Sequence, residues 1–593
     1  MQVCIIGAGA AGITAAKHLL EKGFEVELLE KRDGLGGLWY FSKDSTGVTQ
    51  DTIATSSKTY LQFSDFPFSP EIPHFPHHTD YIKYLKSYAE KHKITPLIKF
   101  DREVINLRKN GQKWEITVRH GNETYTETKD AVVVSSGLHH IPLIPQIPGK
   151  ENYQGLEAHS GLVKTGDELQ GKRVVVIGLG ESGADFAHYL TSFASEVYLS
   201  VRRGAVVLPR WVSDKIPADF DSTRAKGWLP REFIHDYNTG CYPGFPERQY
   251  SAFRTFFTLL SLPVWLASLP FSFNNAFDFI KSLFDWKMWV ALFQKQQRHG
   301  SPSGIELSKA CAEICKDAPP NQEEAENRFW KLTAIFAWHS GAMFNSQSFT
   351  KSADFLRDIV AQKVTVVPGI SKYNGGLEIE FEDGSKREID AVIMCTGYQA
   401  VLPFLQEQEI DNSNLYKHVF IPGESTLAFI GFARPNVGAL PPVTEMQSRW
   451  FARVLAGELS LPNAEEMKKI AEMDGKKAAE KKKAYAKRTI LSAAVDYQMY
   501  MNELGGLIGC RPNILKLLGR PKLLFAVLFG PFASYQYRLN GDGANLEVAM
   551  QVVSNLPPYP TDRVTRDISL LFLVKPWFIL LSKLGFKRFE PIL

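Results

Sequence analysis

The apolar positions fall into two blocks with the same internal order. Residues 3–6 read Val-Cys-Ile-Ile, an unbroken apolar run of the kind that forms a strand buried on both faces. A glycine-rich stretch follows at 7–12, then an Ala- and Leu-rich helix pattern at 13–22, then an apolar strand at 26–29 that ends on Glu30. The order returns at 174–177 (Val-Val-Val-Ile), with glycines at 178–183, a helix pattern at 184–191 and a strand at 197–201 that ends on Arg202 and Arg203. Further apolar strands are expected at 131–134 and 391–394. Strand, tight turn, helix and strand, twice over, predict an α/β fold with two Rossmann-type units.

The first turn reads Gly7-Ala8-Gly9-Ala10-Ala11-Gly12. Gly7 permits the tight turn, Gly9 lets backbone approach a pyrophosphate, and Gly12 lets the helix pack close to the strand. The helix N-terminus then offers free N–H groups and a positive dipole end to phosphates. Glu30, 23 residues past the first glycine, stands where an acid binds ribose hydroxyls. Together these predict a dinucleotide site, against the plainer reading of a glycine-rich turn.

The second turn, Gly178-Leu179-Gly180-Glu181-Ser182-Gly183, continues into Ala184 and Asp185 and repeats the spacing, with Gly178, Gly180, Ser182 and Gly183 at the ligand-facing positions. Its second strand ends on Arg202 and Arg203 rather than on an acid. Arginine offers a charge-assisted fork to a 2′-phosphate, so this site is expected to take NADPH in preference to NADH. A pair of solvated surface arginines is the alternative. Two dinucleotide sites in one chain imply hydride transfer from nicotinamide to a flavin.

Composition narrows the field. The chain has 593 residues, 44% hydrophobic and 22% charged, ordinary for a multidomain globular protein. A net charge of +4 gives no case for nucleic acid as a partner. The six cysteines are sparse and irregular, which argues against a disulfide framework, and Cys311 with Cys315 lacks the second pair a zinc site needs, so no metal is expected. Cys4 is followed next by Cys241, so the redox cysteine pair of disulfide reductases is missing. The chain enters its first strand directly after Met1-Gln2, with no charged leader or cleavage site, and a cleaved secretion signal is not expected.

Several stretches together resemble the flavin-containing monooxygenases, especially the animal microsomal type. Glu30 followed by Gly36-Gly37-Leu38-Trp39 is similar to their FAD-site pattern. Residues 57–68 resemble their flavin-side segment. Gly155, His159 and Ser160 resemble the core of their identifying motif, Cys395-Thr396-Gly397-Tyr398 their linker motif, and 529–539 their C-terminal segment. The resemblance implies FAD and NADPH as cofactors, O2 as co-substrate and a small nucleophilic molecule as substrate. It implies oxygenation at nitrogen or sulfur through a C4a-hydroperoxyflavin, with Gly37, Leu38, Trp39, Thr55, Ser56, Thr396 and Gly397 at the cofactors. The chain departs from the pattern in four places. Thr55 stands where the family usually has asparagine beside the flavin, and it offers one donor where an amide offers two donors and an acceptor. Tyr153, Val163 and Glu181 depart from the identifying motif and the second glycine turn. Thr55 keeps two other activities open: Baeyer–Villiger oxygenation, and an uncoupled NADPH oxidase or non-oxygenating flavoprotein.

The expected organisation is an FAD domain in two parts, 1–150 and 391–550, with an NADP domain at 151–390 between them. That domain carries a helical insert at about 211–345, and a hydrophobic tail occupies 551–593. Residues 255–277 carry no charge but contain Pro263 and Pro270, which favours an interfacial segment over a regular span. The tail at 568–586 is rich in Leu, Phe and Trp, with Lys575 and Lys583 placed to snorkel; a buried helix at a domain or dimer interface is its alternative. The resemblance implies a membrane surface on the cytosolic side of the endoplasmic reticulum, with the cytoplasm otherwise. A homo-oligomer is left open.

Overall fold

A computed structural model describes residues 1–43, 45–213, 216–227, 303–339, 350–399, 401–405, 414–435, 438–484 and 494–557. Two parallel five-stranded sheets organise them. The first runs in the order Leu427–Phe429, Ala131–Val134, Gln2–Ile6, Glu25–Leu29, Ile98–Lys99. The second runs Leu156–His159, Ala391–Met394, Arg173–Ile177, Glu196–Ser200, Val364–Val367. The inner strands Ala131–Val134, Gln2–Ile6, Arg173–Ile177 and Ala391–Met394 are nearly continuous apolar runs because both faces are covered. Val132, Val133, Val174 and Val175 are all fully buried.

The two sheets match strand for strand. In each, the central strand turns through glycines into a helix, Ala10–Glu21 or Glu181–Tyr189, and returns to the neighbouring strand. In each, a three-stranded antiparallel meander precedes the strand on the other side of the centre, at Glu103–Lys129 and Ile370–Glu388. Two of the crossings between the domains pair antiparallel as Ile141–Pro142 with Tyr398–Gln399.

Strand Ala391–Met394 completes the second sheet beside Arg173–Ile177. The expected boundary at 390 therefore falls one strand early, and the return to the first domain follows Cys395. An apolar strand looks alike in either sheet, so the pattern alone did not separate them. The expected insert at 211–345 is likewise divided. Ile216 and Phe220 join the core of the first domain, whereas Leu307, Cys311, Phe329 and Phe336 pack into the second. The segment at 255–277 and the tail from 558 onward lie outside the described residues, as does Cys241. Among the described residues no helix is long and apolar enough to cross a membrane.

Candidate functional site

Both glycine turns are built by the same steric logic. Gly7 has φ +102°, and a Cβ there would lie 2.8 Å from the Ser135 carbonyl oxygen. Gly178 has φ +101°, and its Cβ would lie 2.8 Å from the Cys395 carbonyl oxygen. A Cβ on Gly12 would stand 1.9 Å from the Gly7 carbonyl oxygen, and one on Gly183 1.9 Å from that of Gly178. No other residue permits this approach of helix to strand. Gly9 and Gly180 are the residues immediately before the two helices. Nothing stands within 4 Å of a Cβ built on Gly180, which leaves room for a diphosphate at the helix N-terminus.

In the first site Glu30 is buried and accepts hydrogen bonds from the N–H groups of Ala8 (2.8 Å) and Arg32 (3.0 Å). A carboxylate has about four lone-pair positions, so capacity remains for ribose hydroxyls. Arg32 donates to the carbonyls of Gly37 and Thr46, both at 2.7 Å, and thereby fixes the Gly37–Trp39 turn. The backbone of Gly37 faces that of Gly9, and Trp39 packs edge-on against Tyr81 at 4.7 Å. Ala10 and Ala11 start the helix, whereas Ala8 and Ala184 are fully buried, so ligand contact there falls to the backbone.

Thr55 is half-buried just ahead of the segment 57–68. Its neighbour Ser56 is buried, donates to the Gly438 carbonyl (3.3 Å) and accepts from Lys351 Nζ (3.2 Å). The next N–H, of Ser57, donates to Asp219 at 2.7 Å. Burial pushes the Asp219 carboxyl up, while Lys351 pulls it down.

A cleft of about 1110 Å³ opens between the domains. Leu38, Thr49 and His139 line it from the first; Gly178, Gly180, Ser182, Asp185 and Arg202 line it from the second, with Thr396, Gly397 and Tyr398 at the crossing. Arg202 is thus placed in the cleft, and Arg203 is exposed outside its lining. His159 Nε2 lies 2.9 Å from the Gly397 carbonyl, and His159 Nδ1 accepts from the Gly161 N–H at 3.2 Å, so the ring is a neutral Nε2–H tautomer that pins the crossing. Burial pushes His139 down to about 4, so it faces the cleft uncharged near neutral pH. The sequence pattern did not single out Arg210, which pairs with Asp185 (3.3 Å) and Asp354 (3.2 Å), or Lys351. No motif marks either, because their partners come from distant segments.

Among the described residues the one cluster with metal-like spacing is Cys4, Glu27 and Glu127. Lys99 and Lys129 pair with Glu27 there, so the charge is already met.

An acid-ended and an arginine-ended dinucleotide turn in one chain, the second opening on the cleft between their domains, define a flavin- and nicotinamide-dependent oxidoreductase. The family model described as "Flavin-binding monooxygenase-like" matches residues 1–234 and 293–557. The chain belongs to this family of flavin-dependent monooxygenases, whose cofactors are FAD and NADPH. It is 30% identical over 563 residues to the 4-hydroxybenzoate brominase (decarboxylating) of Marinomonas mediterranea, covering 94% of each chain. It is 30% identical over 600 residues to flavin-containing monooxygenase 3 of Homo sapiens, covering 97% of this chain and 95% of that one. The fold is like that of the S-allyl-L-cysteine S-oxygenase of Allium sativum, with a TM-score of 0.54 at 18% identity over 94% of this chain and 99% of that one.

Proposed function

We propose that this chain transfers one oxygen atom from O2 to a soft nucleophilic atom, nitrogen or sulfur, of a small molecule at the expense of NADPH. The observation that carries this reading is the cleft between the domains, because the second glycine turn lines it from one side and Leu38 of the Gly37–Trp39 turn lines it from the other, giving one space in which hydride and oxygen chemistry can be shielded from water. When bound, FAD supplies the oxygen chemistry. The protein's own residues bind and orient. The turn at 7–12, Glu30 and the Gly37–Trp39 turn hold one dinucleotide; the turn at 178–183 and Arg202 hold the other; Thr55 and Ser56 face the flavin side. No acid–base side chain is required at the substrate.

The brominase relative supports adding bromide to the panel of nucleophiles, since a halide ion is also soft. Thr55 is the reason for a second reading, ketone conversion to ester. Membrane attachment on the cytosolic face of the endoplasmic reticulum is part of the proposal, supported by the apolar stretches at 255–277 and 568–586.

The test measures product and hydrogen peroxide per NADPH consumed, with amine, thioether, bromide and ketone substrates. Product from an amine or thioether, with a higher yield per NADPH in Thr55→Asn, is the expected result. Ester as the sole product supports the second reading. Peroxide equal to NADPH with every substrate, in both proteins, contradicts oxygen transfer altogether.

A further inference from the structure

We propose that binding of the nicotinamide dinucleotide takes up one proton at Glu181, so that this side chain makes NADP(H) affinity depend on pH. The inference rests on the reading of the second glycine turn as the NADPH diphosphate site. Glu181 is the first residue of helix Glu181–Tyr189, directly after Gly180, and its side chain lines the cleft. A diphosphate received by the N–H groups of this turn therefore arrives beside a carboxyl group.

The two acids of this turn are neutralised differently. Asp185 is paired with Arg210 at 3.3 Å, and Arg210 also holds Asp354. Glu181 has only a neutral partner: its Oε2 accepts from the Lys351 backbone N–H at 3.0 Å. The Lys351 ammonium is directed instead to Ser56 Oγ. Burial pushes the Glu181 carboxyl up to about 7, with Lys351 and Arg210 opposing and Asp185 reinforcing. Arg202, from the same domain, and Arg434 also line the cleft, with His139 uncharged. A diphosphate brought next to Glu181 adds like charge, which raises the carboxyl further, so the complex keeps its proton to higher pH than the free protein does.

Below about pH 6 Glu181 is already neutral and binding draws no proton through it. Above about pH 7 the free carboxyl is ionised, each binding event takes one proton from solvent, and Kd for NADP+ rises about tenfold per pH unit. Glu181→Gln keeps an acceptor for the Lys351 N–H and carries no charge in either state, so it removes this dependence.

The experiment is isothermal titration of the FAD-loaded full chain with NADP+ in two buffers of different ionisation enthalpy, at about pH 8, with Kd followed from about pH 6.5 to 8.5. The 2′-phosphate titrates near pH 6 and contributes equally to both proteins, so the difference between wild type and Glu181→Gln is what is read. The expected result is about one proton taken up at pH 8 by wild type, nearly none by the variant, and tighter NADP+ binding by the variant above pH 8. Glu181→Asn, a second uncharged replacement, is expected to behave the same way. Wild-type binding with no buffer dependence, or identical pH slopes in all three proteins, overturns the inference. Failure of every protein to bind NADP+ even at pH 6.5 overturns the underlying reading of the site as well.

Discussion

Arg202 and Arg203 are neighbours in sequence and unlike in space. Both follow the strand Glu196–Ser200, yet Arg202 lines the cleft and Arg203 is exposed outside its lining. A charge-assisted hydrogen bond to phosphate contributes about 1.5–3 kcal/mol. Arg202→Ala is therefore expected to weaken NADPH binding about ten- to a hundredfold while changing NADH far less, and Arg203→Ala is expected to change either within about threefold. Fluorescence titration with both nucleotides checks this; equal losses of NADPH and NADH on removing Arg202 would contradict its role. At this scale the sequence was informative about glycines and strand ends, because those jobs are local. It was silent on Lys351 and Arg210, whose positions depend on distant segments of the chain.

At the scale of elements, the resemblances at 57–68 and 529–539 acquire a physical reason. Arg538, from the C-terminal segment, donates to Asp65 (3.0 Å) in the flavin-side segment and to Glu445 (2.8 Å) in helix Leu440–Leu455. Lys17 of helix Ala10–Glu21 reaches Asp65 at 2.7 Å, and Ser64 binds Glu445 and Arg538. Four segments far apart in sequence thus meet in one buried network, with Glu445 fully buried and Lys17 3% exposed. Burial raises the Asp65 carboxyl, but Arg538 and Lys17 outweigh it and hold the group well below the usual carboxylate range. Its stabilising contribution is therefore complete above the unfolded value of about 3.9 and is lost as pH falls below it. Arg538→Met leaves the fully buried Glu445 without its salt-bridge partner and Asp65 with Lys17 alone, and is expected to cost about 3–5 kcal/mol. Lys22→Ala, which breaks a more exposed pair with Glu458, is expected to cost under about 1 kcal/mol. Denaturant unfolding of the two variants checks the ranking; equal small losses would mean that the network does not hold these elements together. The sequence showed the helix Ala10–Glu21 as an apolar pattern but gave no sign that Lys17 faces inward, because an inward lysine is dictated by a partner in another segment.

For the whole molecule, the strand–turn–helix–strand order makes both Rossmann units legible in the amino-acid sequence, since buried parallel strands and glycine turns are local signals. The placement of Ala391–Met394 in the second sheet is not legible there, and neither is the division of 211–345 between two cores, because both depend on which hydrophobic face a segment finds. The result is a pair of matched domains, joined at Ile141–Pro142 and Tyr398–Gln399, with a cleft between them that the second glycine turn lines from one side and Leu38 of the Gly37–Trp39 turn from the other. Reducing equivalents delivered at one turn are therefore expected to pass to the cofactor held at the other. The measurement is anaerobic mixing of the purified, FAD-loaded chain with NADPH, followed at the flavin absorbance. The account predicts one FAD per chain, bleached by about one equivalent of NADPH, with NADH markedly slower at equal concentration. A chain that holds no flavin, or whose flavin stays oxidised in the presence of NADPH, would contradict it.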